Sequence, residues 1–264
     1  MKAFSLLYHD VVNPGEFDSS GFPDIGARSY KLERDEFERH LNAIARATKS
    51  KPISIFDLLG GAKINFPFLL TFDDGGSSAT FIADILESFG WRGHFFIAVN
   101  YIGTPSFLTK KQILALRKRG HVIGTHSCSH PERMSYCIWK ELLEEWGTSA
   151  KILSGILGEQ VSIASLPRGY YSKKVAEAAS FVGIKALFTS EPTTRCNYVE
   201  ECLVLGRYPI QRWTPPEIAA GLASGQLSPR LKQFLFWNFK KIAKSFGREF
   251  YSKTRKFFLE RISI

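Results

Sequence analysis

From residue 3 to residue 205 the chain repeats one pattern: a short apolar, β-prone run, a segment with helical spacing, then another run. The runs at 3–8, 67–72, 94–99, 121–124, 162–166, 185–189 and 203–205 read as strands. A helix is expected from about Asp35, with Phe37, Leu41 and Ile44 at helical spacing. Further helices are expected over 77–88, 109–119, 139–157 and 172–181, and Thr109 is placed to cap the third of these five. Strands alternating with helices of about ten residues predict a parallel sheet, open or closed into a barrel. In such folds the carboxyl ends of the strands share one face, and sites are assembled there.

Three chemistry-bearing stretches directly follow strands. The first is Leu70-Thr71-Phe72-Asp73-Asp74-Gly75. Adjacent ionised carboxylates at the end of an apolar strand repel one another and lose hydration. Such a pair reads either as caps for the helix opening near Ser77 or as groups kept for a ligand. Gly75-Gly76 permits a tight turn and close approach to the backbone. The second stretch, Gly124-Thr125-His126-Ser127-Cys128-Ser129-His130, is expected on a helical turn, where imidazoles at i and i+4 project from one side. HxxxH also arises by chance, but here it follows a strand and accompanies the acidic pair. One Asp with two His suits a catalytic divalent ion that keeps open positions. The other Asp is then available as a general base. The third stretch is Pro167-Arg168-Gly169-Tyr170.

The remaining histidines differ in position. His9, in Tyr8-His9-Asp10, lies at the carboxyl end of the first strand, on the predicted rim, and reads as functional. His40, His94 and His121 adjoin apolar runs and read as packed or capping residues. Cys128, two residues past His126, is expected to point away from the pair.

With 264 residues, 44% hydrophobic and 23% charged, the chain has the composition of an ordinary globular protein and can bury a large core in one domain. No apolar run approaches the roughly 18–20 residues of a spanning helix. The first ten residues are too short an apolar stretch for a signal peptide, and Cys128, Cys137, Cys196 and Cys202 form no CxxC pair. Together these give the expectation of a cytoplasmic protein with reduced thiols.

Thr71-Phe72-Asp73-Asp74-Gly75 and His126-Ser127-x-x-His130 resemble the first two signature motifs of the polysaccharide deacetylases (carbohydrate esterase family 4, the NodB-homology domain). The resemblance covers roughly residues 3 to 215, including Phe95-Phe96 and the run Arg119 to Gly124. It implies a distorted (β/α) barrel and a metal, usually zinc, held by Asp74, His126 and His130, with Asp73 as catalytic base. It also implies that the backbone N–H of Arg168 faces the oxyanion, with Tyr170 beside it. The usual third motif, Arg-x-Pro-Tyr-Gly, is here Ser165-Leu166-Pro167-Arg168-Gly169-Tyr170, so the arginine that braces the base is missing. Arg207 is the candidate replacement. The family's late catalytic-acid histidine is also missing, since no His follows His130. His9 fits a circularly permuted branch that carries this residue in an amino-terminal Tyr-His motif.

The formal charge of +10 is unevenly distributed. Residues 228–264 hold ten Lys/Arg and two Asp/Glu, so residues 1–227 are close to neutral. The sequence therefore divides into a catalytic domain, 1–227, and a basic aromatic tail, 228–264. Within the tail Leu231, Leu235, Phe239, Ile242 and Phe246 share one helical face. Such a basic amphipathic helix suits an anionic membrane surface through 231–258. The alternative is an aromatic stripe packed on the barrel; nucleic-acid binding is disfavoured because no recognised module accompanies it.

The sequence thus predicts a Zn2+-dependent hydrolase that removes N-acetyl or N-formyl groups from an amino-sugar glycan or lipid-linked sugar. It is expected to be cytoplasmic or peripheral to the inner membrane. The competing expectation is an inactive carbohydrate-binding module on the same fold.

Overall fold

The computed structural model describes residues 1–246, with side-chain contacts through 238. Its strands are β1 (Phe4–Tyr8), β2 (Val11–Val12), β3 (Leu32–Glu33), β4 (Phe68–Phe72), β5 (His94–Ile97), β6 (Val122–Thr125), β7 (Ile163–Ser165), β8 (Ala186–Phe188), β9 (Cys196–Val199), β10 (Cys202–Leu205) and β11 (Tyr208–Pro209). The helices are α1 (Ile25–Arg28), α2 (Arg34–Ala47), α3 (Ile55–Leu59), α4 (Ala79–Ser88), α5 (Lys110–Lys118), α6 (Trp139–Leu157), α7 (Lys173–Phe181), α8 (Pro216–Ala223) and α9 (Leu227–Phe246). Nine strands form one curled sheet in the order β11-β1-β4-β5-β6-β7-β8-β10-β9, parallel except for the β9–β10 pair. An isolated antiparallel bridge between Lys2 and Arg195 joins the chain just before β1 to the chain just before β9. The expected distorted barrel is thus realised as a curled, parallel-dominant half-barrel whose edge strands β11 and β9 do not pair with each other.

Strand alternation sorts the side chains. Leu69, Phe96, Ile163, Ala186, Phe188, Leu203 and Leu205 pack together in the hollow of the curl. Their neighbours Leu70, Phe72, Phe95 and Ile97 instead meet Phe37, Leu41 and Ile44 of α2 and Ile82, Ala83 and Leu86 of α4. The hollow is tight: a Cβ on Gly124 would sit 2.6 Å from the Phe96 ring and 2.8 Å from Ile163. Gly124 therefore sets how closely β5, β6 and β7 curl above the site.

Several predicted boundaries hold closely. α6 spans the expected residues, and Thr109 caps α5 in a reciprocal box with Gln112. The predicted loop between Asn13 and Ser29 contains the short α1. The strands β2, β3, β9 and β11 and the helices α3 and α8 were not anticipated; most are two to five residues long, too short to show a period.

α9 begins at Leu227 and docks through Arg230, Gln233 and Trp237. The Arg230 guanidinium lies 5.3 Å from the Phe4 ring centroid and donates to the Tyr208 hydroxyl, and Gln233 donates to the carbonyl of Pro209. Trp237 reaches Gly169. Of the apolar stripe, Leu231 is 49% exposed and Leu235 59%. Phe239, Ile242 and Phe246 of that stripe fall where side chains are not described, and 247–258 of the predicted membrane segment lies outside the described residues. Among the described residues no helix is long and apolar enough to cross a membrane.

Candidate active site

β4 delivers Asp73 and Asp74 to the carboxyl end of the sheet, β6 delivers His126, and β7 ends at Ser165. Asp74 Oδ1 lies 3.4 Å from His126 Nε2 and 3.5 Å from His130 Nε2. Ligands on one tetrahedral zinc, with bonds of about 2.0–2.1 Å, stand about 3.3 Å apart. The three groups thus fit one divalent ion, and they form the metal-capable cluster found among the described residues. His126 also makes an Nδ1 hydrogen bond to the Ser165 carbonyl, 2.9 Å. That bond keeps a proton on Nδ1, so Nε2 is the nitrogen turned toward Asp74 and the one available to an ion. Metal coordination needs this tautomer.

The way the imidazoles converge differs from expectation. Residues 126–130 are not helical: Ser127 and His130 adopt left-handed backbones (φ 68° and 56°), as does Asp74 (φ 75°). Helical i, i+4 spacing is therefore replaced by a looped turn that brings the rings to 5.1 Å between centroids. Strain at non-glycine residues persists where surrounding contacts over-determine it. Glu145 on α6 supplies such contacts, accepting from the backbone N–H groups of Cys128 and Ser129 and from the Ser129 hydroxyl. Cys128 is half-buried and aimed at α6 rather than at the cluster, as expected for a packing residue.

Asp73 stands apart from the three ligands, its Oδ2 3.8 Å from His126 Nε2. Arg207 grips it bidentately, Nη1 to Oδ1 at 2.7 Å and Nη2 to Oδ2 at 2.8 Å. Arg207 is fully buried, anchored by Nε to the Thr189 carbonyl, and flanked by the rings of Phe96 and Phe188 at 5.9 Å. Ser165 donates to Asp73 Oδ2 and accepts from Arg207 Nη2. So the residue that replaces the expected motif-three arginine becomes a relay between the acid and its substitute brace. Nothing in the sequence around Ser165 signals this role, because both of its partners are distant in the chain.

The charges follow from this packing. Burial alone would raise the Asp73 carboxyl, but the Arg207 guanidinium, with help from His126 and His9, holds it below its ordinary value. Burial likewise opposes ionisation of Asp74, and His126, His9 and His130 overcome it. Burial is also the main cause that pushes His130 down to about 4, so its imidazole is neutral and able to ligate at neutral pH.

His9 lies at the same mouth, close enough for its charge to act on both carboxylates. Its Nδ1 is buried without a hydrogen-bond partner among the described residues, and its ring lies 4.9 Å from that of Tyr30. A buried imidazole nitrogen without a partner is uncommon unless a ligand or water uses it. Arg168 is exposed in a left-handed conformation (φ 55°), and Tyr170 packs under the Arg133 guanidinium.

Lys31 and Asp10, which order the loop beside the site, had no sequence signal. Lys31, 1% exposed, spends its ammonium on the carbonyls of Phe17, Ser20 and Phe22. Asp10 Oδ1 accepts from the Ser20 and Ser78 hydroxyls, and a Cβ on Gly76 would lie 2.0 Å from that oxygen. Gly76 thus exists to admit Asp10. This clamp orders the loop that sets Phe22 against the His130 ring, 4.7 Å between centroids.

Residues 60–187 match the family model described as polysaccharide deacetylase. A protein of Geobacillus stearothermophilus, known only as an uncharacterized 30.6 kDa protein in the fumA 3' region, is 28% identical over 123 residues. That match takes in 46% of this chain and 45% of the relative, less than half of its length. Among solved structures, IcaB from Ammonifex degensii superposes with a TM-score of 0.68 at 20% identity, covering 84% of this chain and 97% of that one. The Streptococcus pyogenes deacetylase PplD in complex with acetate gives 0.65 at 18% identity, covering 82% and 96%. A de-N-acetylase from Aggregatibacter actinomycetemcomitans gives 0.65 at 18%, covering 81% and 97%. At these identities the likeness is one of fold.

Proposed function

We propose that this chain, which carries a polysaccharide deacetylase domain at residues 60–187, is a metal-dependent amidohydrolase of amino sugars. It removes N-acetyl or N-formyl groups from a glycan or a lipid-linked sugar. One observation carries the reading: a buried, ionised carboxylate, braced by Arg207, stands beside a separate Asp-His-His cluster without belonging to it. A protein that only bound sugar would have no use for that leftover base.

Asp74, His126 and His130 would hold the ion, with zinc the expected metal. A bound divalent ion supplies Lewis acidity toward the acyl carbonyl and makes water more acidic. Asp73, kept ionised by Arg207, accepts the proton of the attacking water at a carboxylate oxygen. Arg207 and Ser165 fix that carboxylate so that its free lone pairs face the mouth. The Arg168 backbone N–H faces the developing oxyanion, with Tyr170 beside it. His9, as imidazolium, gives its proton to the departing amine nitrogen, because an amide does not cleave to an amide anion. This reading gives His9 the acid role that the resemblance assigns to the permuted branch; His9, which directly follows β1, lies outside the family match.

The exposed Leu231 and Leu235 of α9 and the basic composition of residues 228–264 support peripheral attachment at an anionic inner-membrane surface of the cytoplasm. The decisive experiment measures acetate and formate release from N-acylated sugars with and without chelator. Release that stops on chelation and returns with added zinc supports the reading. Sugar binding without release would make the chain an inactive module.

A further inference from the structure

The half-barrel leaves a seam between its edge strands β11 and β9, and α9 lies along it. Arg230 spans the seam. Its guanidinium donates at 3.2 Å to the hydroxyl of Tyr208 in β11 and at 3.3 Å to that of Thr194, two residues before β9. One turn on, Gln233 donates to the Pro209 carbonyl at 3.1 Å. Trp237 follows on the same helical face and reaches the mouth. A Cβ on Gly169 would lie 3.3 Å from the outer edge of its indole and 3.0 Å from Ser190 Cβ. Gly169, at φ 71°, has no side chain to hold the ring off.

Gly169 belongs to a costly turn. Arg168 and Gly169 are consecutive left-handed residues (φ 55° and 71°), and a non-glycine residue keeps that backbone only where its surroundings impose it. Before the turn, the Leu166 N–H is fixed to the Phe188 carbonyl at 2.8 Å; after it, the Tyr171 N–H bonds back to the Gly169 carbonyl at 3.1 Å. Between those anchors the Arg168 side chain is exposed, and Ser190 and Trp237 press on Gly169. No polar bond places the Trp237 ring. Its indole N–H is buried without a partner among the described residues, and so is the Gln233 Oε1 one turn back. A buried indole N–H ordinarily finds an acceptor, and one left unmet opposes stability. A ring kept there at that cost is explained by what it touches.

We propose that Trp237 is a positioning residue: its indole buttresses Gly169 and thereby holds the Arg168 backbone N–H where it faces the oxyanion. The inference rests on the deacetylase reading, which gives that N–H its role. It makes α9 part of the catalytic unit, although α9 lies outside residues 60–187 of the family match. A preorganised donor works only while aimed at the developing charge, and a remote change that misplaces it by about 1 Å costs up to about 100-fold in rate.

The test uses the full chain with zinc and measures kcat and KM on an N-acetylglucosamine oligomer and on 4-nitrophenyl acetate. The proteins are wild type, W237A, W237F, G169A, the W237A/G169A double variant and L235A, with circular dichroism and zinc stoichiometry for each. In W237A kcat should fall about 10–100-fold on both substrates, with KM and zinc content kept. The loss falls equally on amide and ester because both pass through the same oxyanion, which separates it from loss of a leaving-group acid. W237F, whose shorter ring withdraws from Gly169, loses a smaller factor, and L235A behaves as wild type. In the G169A background W237A costs no further rate, since both act on one contact. An unchanged kcat in W237A, a change in KM alone, or losses that multiply independently in the double variant overturns the proposal. If W237A does not fold, W237F decides, and a wild-type kcat there overturns it. Amide NMR reads the contact without catalysis. The indole ring current displaces the Gly169 Hα signals; in W237A that displacement disappears, and the Arg168 and Gly169 amides gain fast mobility. If this occurs while no protein, wild type included, releases acyl groups, the deacetylase reading falls and the buttress stands. A turn in W237A as rigid as in wild type sinks the buttress whatever the activity.

Discussion

Arg207 and Asp73, 134 residues apart in sequence, meet through two parallel hydrogen bonds of 2.7 and 2.8 Å in the fully buried floor of the barrel mouth. Bidentate guanidinium–carboxylate contacts are short, directional and hard to replace. They also fix which lone pairs of the carboxylate remain free for chemistry.

Removing that brace has two separable effects. R207M leaves an uncompensated buried carboxylate, which costs about 3–5 kcal/mol of stability at neutral pH by denaturant unfolding. With the guanidinium gone, burial is the dominant influence on Asp73 and its carboxyl titrates at higher pH. The acid limb of kcat/KM in R207K, which keeps a charge but not the fork, should therefore shift upward from that of wild type. An unshifted limb and unchanged stability would show that Asp73 does not depend on Arg207.

His9 makes its prediction through a split between readouts. H9A should lose about 10²–10⁴-fold in kcat for amide substrates while binding one equivalent of metal as wild type does. An activated aryl ester, whose leaving group needs no proton, should be cleaved by H9A nearly as well as by wild type. Equal losses on amide and ester would remove His9 from the acid role.

The legible part of this molecule is the part with periodicity or fixed spacing. Alternating strands and helices predicted the curled parallel sheet, and the adjacent acids and paired imidazoles converge as expected. Even there the local geometry departs from the spacing rule. HxxxH suggested a helical turn, whereas left-handed Ser127 and His130, pinned by Glu145, accomplish the convergence. Arg207 could be singled out because the third motif lacked its arginine, but Ser165 could not, because its role exists only across space from Arg207. Lys31 and Asp10 were invisible for the same reason. Their partners are backbone carbonyls and serine hydroxyls of a loop without pattern. The face by which α9 docks was likewise hidden, since Arg230 and Gln233 are polar and Trp237 falls off the spacing of the neighbouring stripe.

Away from the site, His94 predicts a pH dependence of stability. Its Nε2 accepts from the Ile55 backbone N–H and its Nδ1 faces the Leu70 carbonyl, so the buried ring is neutral. Burial pushes it down to about 4 from an ordinary 6.5. Between those two pH values the unfolded chain binds a proton that the folded one refuses, so stability is full above about 6.5 and declines as pH falls toward 4. The loss approaches about 3 kcal/mol. His40 and His121 are depressed by burial in the same direction and add to the trend. H94Q should flatten the acid decline of the urea midpoint between pH 7 and 4.5. A slope as steep as wild type would assign the decline elsewhere.

Glu145 offers the sharpest test of the cluster, because it touches no ligand atom. Its carboxylate receives the N–H groups of Cys128 at 2.8 Å and Ser129 at 3.0 Å, and the Ser129 hydroxyl at 2.6 Å. Those bonds hold the strained segment between the two imidazoles. In E145A the segment relaxes and His130 leaves its position 3.5 Å from Asp74. Zinc affinity, titrated against a chromophoric chelator, should fall about 10–100-fold, as when other outer-shell partners of metal ligands are removed. The metal-free protein should lose only about 1–3 kcal/mol, the cost of a few solvent-accessible hydrogen bonds. Chelation should correspondingly lower the Tm of wild type more than that of E145A, because only tightly bound metal stabilises the folded state. D74N, which deletes a ligand outright, should abolish the chelator effect. If E145A binds zinc as tightly as wild type, the turn is rigid on its own and α6 has no part in shaping the site.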